Sequence, residues 1–419
     1  MLYLETKFKD TVIGSIPNDW DIDTIKETGG VVTGKTPSTK NASFWNGDIP
    51  FVTPTDINRI KIQGQTERKV TESGLKESKE IPAGSLMVTC IASIGKNAIS
   101  KERCCTNQQI NSIIPNADFD VDYLYYAMER MKPQLGALAG KTAVPILNKT
   151  RFEQVRLAKP KKIEQHKIAE ILSNIDGAIQ KTDQLVTSTH KLKMGFMQVL
   201  LKEGIGHKKF KEIELGKIPE EWKVIRLGTV VSSYKNGIYK PAKFNGRGHP
   251  CIRMFNIVEG RVNTLNAPLL DVTEQELWDY GLEEGDILVN RVNTTELVGK
   301  AGVVPQGLGK ITFESKNIRI RLDKSVILPE FFSIVAQTKI YSVQVLAKAK
   351  TAVAQATITQ EDLDDIILPL PSVPEQKEII AIITNLDKKL DVGRLEYAAL
   401  NRIRQGFMRE LLSGRIRVK

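Results

Sequence analysis

The sequence predicts an α+β chain: two duplicated mixed α/β domains separated by two long antiparallel coiled-coil helices, with pseudo-two-fold symmetry. Three observations lead there. The chain repeats itself with a period near half its length, short strand-like apolar runs fill most of each half, and each half ends in an uninterrupted stretch of about 37 residues with an apolar residue every three or four. The expected borders are 1–158 for the first globular domain, 159–206 for the first long helix, 207–371 for the second domain and 372–419 for the second helix.

The repeat comes first because it organises everything else. KFKDTVIGSIPNDW, ending at Trp20, matches KFKEIELGKIPEEW, ending at Trp222, so Gly14, Pro17 and Trp20 recur as Gly216, Pro219 and Trp222 at an offset of 202. Pro50 and Pro250, Gly84 and Gly285, then Gly95-Lys96 and Gly299-Lys300 continue the match. Thr142-Ala143-Val144 recurs as Thr351-Ala352-Val353, Glu164-Gln165 as Glu375-Gln376, and Gly195-Phe196-Met197 as Gly406-Phe407-Met408. Between these anchors, residues 30–48, 58–80 and 99–112 differ strongly from their partners. The frame is shared while the lining varies, as expected of one fold put to two targets; plain drift after duplication leaves the same pattern.

In chain order, IPFVTP (49–54), SLMVTCIA (85–92) and INSIIP (110–115) are short apolar runs bounded by Gly, Pro or Asn, and predict strands. Residues 122–132 predict one short helix. CIRMFNI, GDILVNRV and IRIRLD repeat the scheme in the second half, with one helix over 329–337. The long stretch 164–201 places Ile168, Ile171, Ile175, Ala178, Thr182, Leu185, Thr189, Leu192, Phe196 and Val199 on a seam, giving a rod of roughly 55 Å at 1.5 Å per residue. Its partner, 375–412, keeps Ile379, Ile382, Leu386, Leu390, Leu400, Ile403, Phe407 and Leu411, with Gly393 weakening the middle. A single apolar stripe must be covered, either by the other rod or by the rod's own globular domain. Ile168, Ile175, Leu185, Phe196, Leu386, Ile403 and Phe407 are the residues expected to hold the helix pair or dock further subunits.

Composition bounds the function. With 419 residues, 41% hydrophobic and 26% charged, the chain can form two or three globular domains. The charge of +11 favours a polyanionic partner, yet the four expected segments net +2, +3, +2 and +4, so no segment is a basic tail. No run of 18 apolar residues and no apolar leader occur, which predicts a cytoplasmic chain without membrane contact. Cys90, Cys104, Cys105 and Cys251 make no CxxC pair, and the four histidines lie far from them, so neither metal nor cofactor is expected.

Catalytic patterns are scarce. Gly29–Thr36 spells G-x-x-x-x-G-K-T, but polar residues precede it and Pro37-Ser38-Thr39-Lys40 follow, whereas a phosphate loop needs a buried strand before and a helix after. No Asn/Asp-Pro-Pro-aromatic string and no His-Glu-x-x-His string are present. Polar clusters suited to DNA lie instead between predicted strands: Lys35, Thr36, Ser38 and Lys40; Arg103, Asn107, Gln108 and Gln109; Lys240, Lys243, Asn245, Arg247 and Arg253; Arg291 and Asn293. Lys141 and Lys350 join them from the threonine-rich segments. Arg and Lys read guanine and Asn or Gln pair with adenine in the major groove, although Asn and Gln also close turns. Residues point to a binder, with two alternatives open: a free-standing DNA-binding protein, or an enzyme that hydrolyses nucleotides or cuts nucleic acid.

Several strings together resemble one family. IGSIPNDW and LGKIPEEW, GKTPST with DIPFVTPTDI, IASIGK and ELVGK, CTNQQI, GKTAVPILNKTRFEQVRLAKP and AKTAVAQATITQEDLDDIILPLP, EQHKIAEILSNID and PEQKEIIAIITNLD, and the ends GFMQVLL and GFMRELLSG are similar to the DNA-specificity subunits of type I restriction-modification systems, nearly end to end. The resemblance implies two target-recognition domains, each reading half of a split site in double-stranded DNA, and long helices that space them and dock two methyltransferase subunits, with a restriction (translocase) subunit joining. It implies no catalysis by this chain and makes GKTPST a domain-entry loop. YKNGIYKP, the second-half counterpart, departs from that loop's pattern.

Overall fold

A computed structural model describes residues 2–58, 60–140, 143–352 and 355–418. The chain divides into two compact units, Met1–Asp183 with Leu395–Lys419, and Gln184–Arg394. Each long helix supplies one half to each unit. They run Lys162–Glu203 and Val373–Leu411.

The first unit carries a five-stranded sheet in the order Gly29–Thr33, Ile110–Pro115, Leu86–Thr89, Asn97–Ser100 and Ile62–Gln63, antiparallel except for the last pair. A second sheet runs Arg68–Val70, Trp45–Val52, Cys104–Thr106 and Glu80–Ile81, its middle pair parallel. The second unit repeats this plan. Its large sheet runs Val231–Asn236, Asn317–Leu322, Ile287–Asn290, Ala301–Val303, Arg261–Val262 and Ile257–Val258. Its small sheet runs Leu269–Leu270, Asn245–Ile252 and Thr312–Phe313. Even the irregularity recurs, because Trp45 and Ile49 both face Val70, as Asn245 and His249 both face Leu270. Two copies of one topology underlie the repeat.

The anchors explain themselves once packed. Trp20 and Trp222 are fully buried, and their indole N–H groups donate to Glu164 at 3.0 Å and Glu375 at 2.9 Å. Gln165 donates to the Pro160 and Asp118 carbonyls and accepts from the Asp120 amide, while Gln376 does the same with Pro371, Val326 and Leu328. A Glu-Gln pair at the start of each long helix therefore ties it to its globular domain through groups that burial would otherwise leave unpaired.

Helix lengths differ from expectation. The helix expected at 122–132 extends over Val121–Leu138 through Pro133, capped by Asp120, whose side chain accepts from the Asp122 and Tyr123 amides. The one expected at 329–337 is two, Pro329–Val335 and Lys339–Lys348, separated at Thr338.

Within each unit the long helices run antiparallel and share a matched ion pair. Arg404 pairs with Asp176 in the first unit, and Lys193 with Asp387 at 2.7 Å in the second. The expected seam is corrected from Thr182 onward. Leu185 (60% exposed), Phe196 (39%) and Ile403 (46%) face outward with Leu192 and Val199, while Thr182, Lys193, Met197, Leu200 and Met408 are buried. Ile168 and Leu386 are buried, and Ile175 and Phe407 half-buried. The reason is the period: a strict alternation of three and four averages 3.5 residues, but a straight helix turns every 3.6, so the buried stripe slips one residue along by the third heptad. Gly393 lies within the unbroken helix Val373–Leu411, and a Cβ there would lie 2.8 Å from the Val186 side chain, so it permits close approach of the helices.

This register makes a sharp contrast between neighbours. Phe196→Asp is expected to change stability by less than about 1 kcal/mol, whereas Met197→Asp, which sets a carboxylate in a buried apolar place, is expected to cost about 3 kcal/mol or more. Urea unfolding of the two variants checks it, and equal losses would contradict the register.

Candidate nucleic-acid interface

In both units the same loops converge where the two sheets meet. In the first, the strand Gly29–Thr33 ends at Gly34, whose amide donates to the Ile110 carbonyl. A Cβ on Gly34 would stand 2.2 Å from the Asn107 carbonyl oxygen, so only glycine allows the Lys35–Lys40 segment to lie against the Thr106–Gln109 turn. Thr36 then donates to the Gln108 side chain at 2.8 Å. Two clusters far apart in sequence are thus brought together, and the Asn107 amide to the Val52 carbonyl adds the Thr53–Asp56 turn beside them.

The second unit builds the place alike. A Cβ on Gly237 would lie 2.1 Å from the Glu314 carbonyl oxygen. Ile238, Glu314, Ser315 and Arg291 are laced by backbone bonds from Ile238 to Phe313, Ser315 to Ile238, Glu314 to Ile252 and Arg291 to Lys316. Met254 donates to the Glu314 carboxylate at 3.0 Å, and the Arg253 amide to Asn256 at 3.0 Å, as Thr53 does to Asp56. Frame and lining separate here: the backbone lacing is common to both units, while Lys35, Thr36 and Gln108 of one stand where the other has Ile238, Tyr239 and Ser315.

Several expected contact residues are already engaged. Arg103 pairs with Glu72, and Asn107 and Gln109 bond each other at 2.9 Å. Lys240 is held by Glu276 at 2.6 Å and the Asp271 carbonyl, above the Phe244 ring. Arg247 pairs with Asp271 at 2.9 Å, and Arg253 reaches Asn245 at 3.2 Å. Such groups fix loop shape. Ser38, Lys40, Lys243 and Lys350 are exposed, Lys243 above Phe244 and Lys350 on the hairpin strand Lys350–Ala352. Asn293 sits half-buried in the strand paired with Ala356, beside Arg291. Lys141 lies outside the described residues, as do Thr142 and Val353 of the repeat.

The sequence reading missed Tyr239 (80% exposed) and Phe255 (60% exposed), two aromatic side chains among the basic loops of the second unit, and Lys316 beside them. Exposed rings offer faces on which bases stack. The signal for Tyr239 was its position between Gly237 and Lys240; Phe255 carried none until the Arg253–Asn256 turn was seen. Arg68, stacked 3.6 Å above Trp45, was missed as well.

Gly29–Thr36 does not build a phosphate loop, since residues 29–33 are a strand and no helix opens at Thr36. Burial pushes the Cys90 and Cys105 thiols up to about 11 and the Cys104 and Cys251 thiols up to about 12, the reverse of what an attacking thiolate needs. Among the described residues no group of three or more His, Cys, Asp or Glu is placed to hold a metal, and no helix is long and apolar enough to cross a membrane.

A family model described as type I restriction modification DNA specificity domain matches this chain twice, over residues 17–186 and 219–402. The chain belongs to that family. Each match of this specificity family takes in one set of the converging loops and the first part of the adjoining long helix. The chain is 28% identical over 434 residues, with 99% of it and 98% of the relative covered, to the type I restriction enzyme MjaIX specificity subunit of Methanocaldococcus jannaschii. It is 22% identical over 398 residues, covering 89% and 83%, to the EcoKI specificity subunit of Escherichia coli. Among solved structures, the type I restriction-modification S subunit from M. genitalium shares the fold with a TM-score of 0.60 at 16% identity, covering 97% of this chain and 99% of the other. A chain solved in work on assembly of the type I system gives 0.56 at 15% identity, covering 96% and 99%. Specificity-family membership agrees with the doubled loops and with the resemblance read from the sequence.

Proposed function

We propose that this chain is the DNA-specificity subunit of a cytoplasmic type I restriction-modification assembly. Residues 1–158 and 207–371 each read one half of a bipartite, asymmetric site in double-stranded DNA. Residues 159–206 and 372–419 space the two readers and dock two methyltransferase subunits, which a restriction subunit joins. The chain itself performs no covalent step, and covalent work falls to its partners. The observation that carries this reading is the doubled frame with unlike linings: one backbone lacing at Gly34 and Gly237, with different side chains mounted on it.

Roles follow from engagement. Exposed Lys40, Lys243, Lys316 and Lys350 are placed to meet phosphates and set register. Thr36, Ser38, Gln108, Asn245, Arg253, Arg291 and Asn293 line the loops that would meet base edges, with Tyr239 and Phe255 as stacking faces. Arg103, Asn107, Gln109, Lys240 and Arg247, held by neighbours, position those loops, and Lys141 belongs with the phosphate contacts. Outward-facing Leu185, Phe196 and Ile403 offer apolar area to the docking subunits, whereas Ile168, Ile175, Leu386 and Phe407 serve the helix pair itself.

Exchange of residues 21–158 for those of a relative tests this directly. Mapping of methylated adenines in cells that carry the exchanged chain should show one half-site changed and the other kept. A change in both, or in neither, would end the modular reading.

A further inference from the structure

Most described arginines of this protein pair with a carboxylate. Among the described residues of the first unit, Arg68, Arg130, Arg151, Arg156, Arg402 and Arg415 do not, and Arg130, Arg151 and Arg156 line two adjoining recesses. Arg130 donates to the Leu412 carbonyl and Arg151 to the Leu138 carbonyl at 3.5 Å, while exposed Arg156 and Arg415 have no side-chain bond among the described residues. Arg130 and Arg156 rim a recess of about 260 Å³ whose floor includes Ile13, Ile16, Met131 and Leu157. A neighbouring recess of about 420 Å³ shares Ile13 and Arg156 and adds Val12, Leu138 and Arg151. Surrounding protein desolvates the Arg130 guanidinium and, with the charge of Arg415, lowers its pKa. The carboxylates nearby are committed elsewhere, Glu410 to Arg409 and Glu27 to the Thr24 cap.

The second unit does not repeat this feature. Counted from the matching helix caps and strand ends, Arg130, Arg151 and Arg156 correspond to Thr338, Asp362 and Ile367. The loops that would read DNA and the long helices are present twice, but among the described residues the three arginines have no counterparts at the matching positions of the second unit. We propose that the arginine-rimmed recess is a docking site for one acidic protein segment carrying apolar side chains, taken up once per chain. Guanidinium groups at the rim form paired bonds to carboxylates, and the floor receives an apolar side chain between them. In duplex DNA the charge lies on the phosphates and the apolar groups lie in the grooves and the base stack, so an acidic protein segment with apolar side chains suits rim and floor together better.

Fluorescence anisotropy of the full chain tests it, with a labelled peptide built of Glu, Leu and Phe, a copy with Gln for Glu, a copy with Ser for Leu and Phe, and a DNA duplex. The acidic apolar peptide should bind, both altered copies should bind more weakly, and Arg151→Ala with Arg156→Ala should weaken it by about ten-fold or more. Lys240→Ala with Lys243→Ala should leave it unchanged. Arg151 lies on the short helix Lys149–Glu153, Arg156 at a strand end, Lys240 is half-buried and Lys243 exposed, so an unaltered circular dichroism spectrum checks the folding of each variant. The proposal is overturned if the peptide and its Gln copy bind alike, if the arginine substitutions leave peptide affinity intact, if the lysine pair matters as much, or if the arginine pair weakens duplex binding while the peptide does not bind. Outside the duplex arm, which shows whether the arginines serve DNA instead, no outcome depends on recognition of DNA by the converging loops.

Discussion

Glu164→Ala is expected to cost the first unit about 3–5 kcal/mol, among the largest losses open to a single substitution. Glu164 is the hub of a buried cluster. It accepts Arg417 Nε at 2.7 Å, Arg417 Nη2 at 2.9 Å and the Trp20 indole at 3.0 Å. Arg417 is 4% exposed and also pairs with Asp19 and Glu5, through which the strand Ile416–Val418 is fastened beside its partner Leu2–Leu4. Removal of the carboxylate strips a buried guanidinium of two charge-assisted bonds, leaving it Asp19 and Glu5 but no acceptor for Nε, and orphans an indole N–H.

The matching substitution in the second unit separates charge from packing. Glu375 accepts Trp222 at 2.9 Å, the Ile205 amide at 3.0 Å and His207 Nε2 at 3.0 Å, so a histidine stands where the first unit has Arg417. An imidazole need not carry a charge, whereas a guanidinium always does. Glu375→Ala is therefore expected to cost only about 1–3 kcal/mol, the cost of orphaned donors. Urea unfolding of both variants, followed by tryptophan fluorescence, checks the order. Equal costs, or a larger one for Glu375→Ala, would show that charge is not what the Glu164 cluster manages.

What the sequence disclosed and what it withheld divide along physical lines. Trp20, Glu164, Gln165 and Met197 were visible because each has a counterpart at the matching buried or half-buried place of the other half, and such places tolerate few substitutes. The strands at 49–54, 85–92 and 110–115 were visible because short apolar runs with flanking Gly, Pro or Asn mark them. The seam of the long helices was placed one residue off beyond Thr182, since apolarity suggested Leu185 and Phe196 for an interface that uses Lys193 and Gly393. Lysine at 2% exposure has no local signal; only its partner across the helix pair explains it. The same holds for the interface loops. Arg103 and Lys240 look free in a string of letters, and their carboxylates lie 31 and 36 residues away. Tyr239 and Phe255 were overlooked because aromatic residues in sequence are most simply read as core.

That buried lysine gives the second large effect. Asp387→Ala is expected to destabilise the second unit by about 3–5 kcal/mol, because Lys193 would keep only a weak contact with Gln337 at 3.5 Å while remaining buried. Arg261, which pairs with Asp387 at 2.9 Å, is far less confined and can turn to Asp391, so it adds little to the loss. Removing both charges is the decisive arm: Lys193→Met with Asp387→Leu should recover most of the loss, because two apolar side chains in place of a buried pair need no desolvation of ions. The matched pair in the first unit is the control. Arg404 keeps 20% of its side chain exposed and can find water, so Asp176→Ala should cost only about 1–2 kcal/mol, in part for the Tyr126 hydroxyl that loses its acceptor. Denaturant unfolding of these variants reads the cycle. If the double substitution were as unstable as Asp387→Ala, the pair would be needed for its shape and bonds rather than for cancelling a stranded charge.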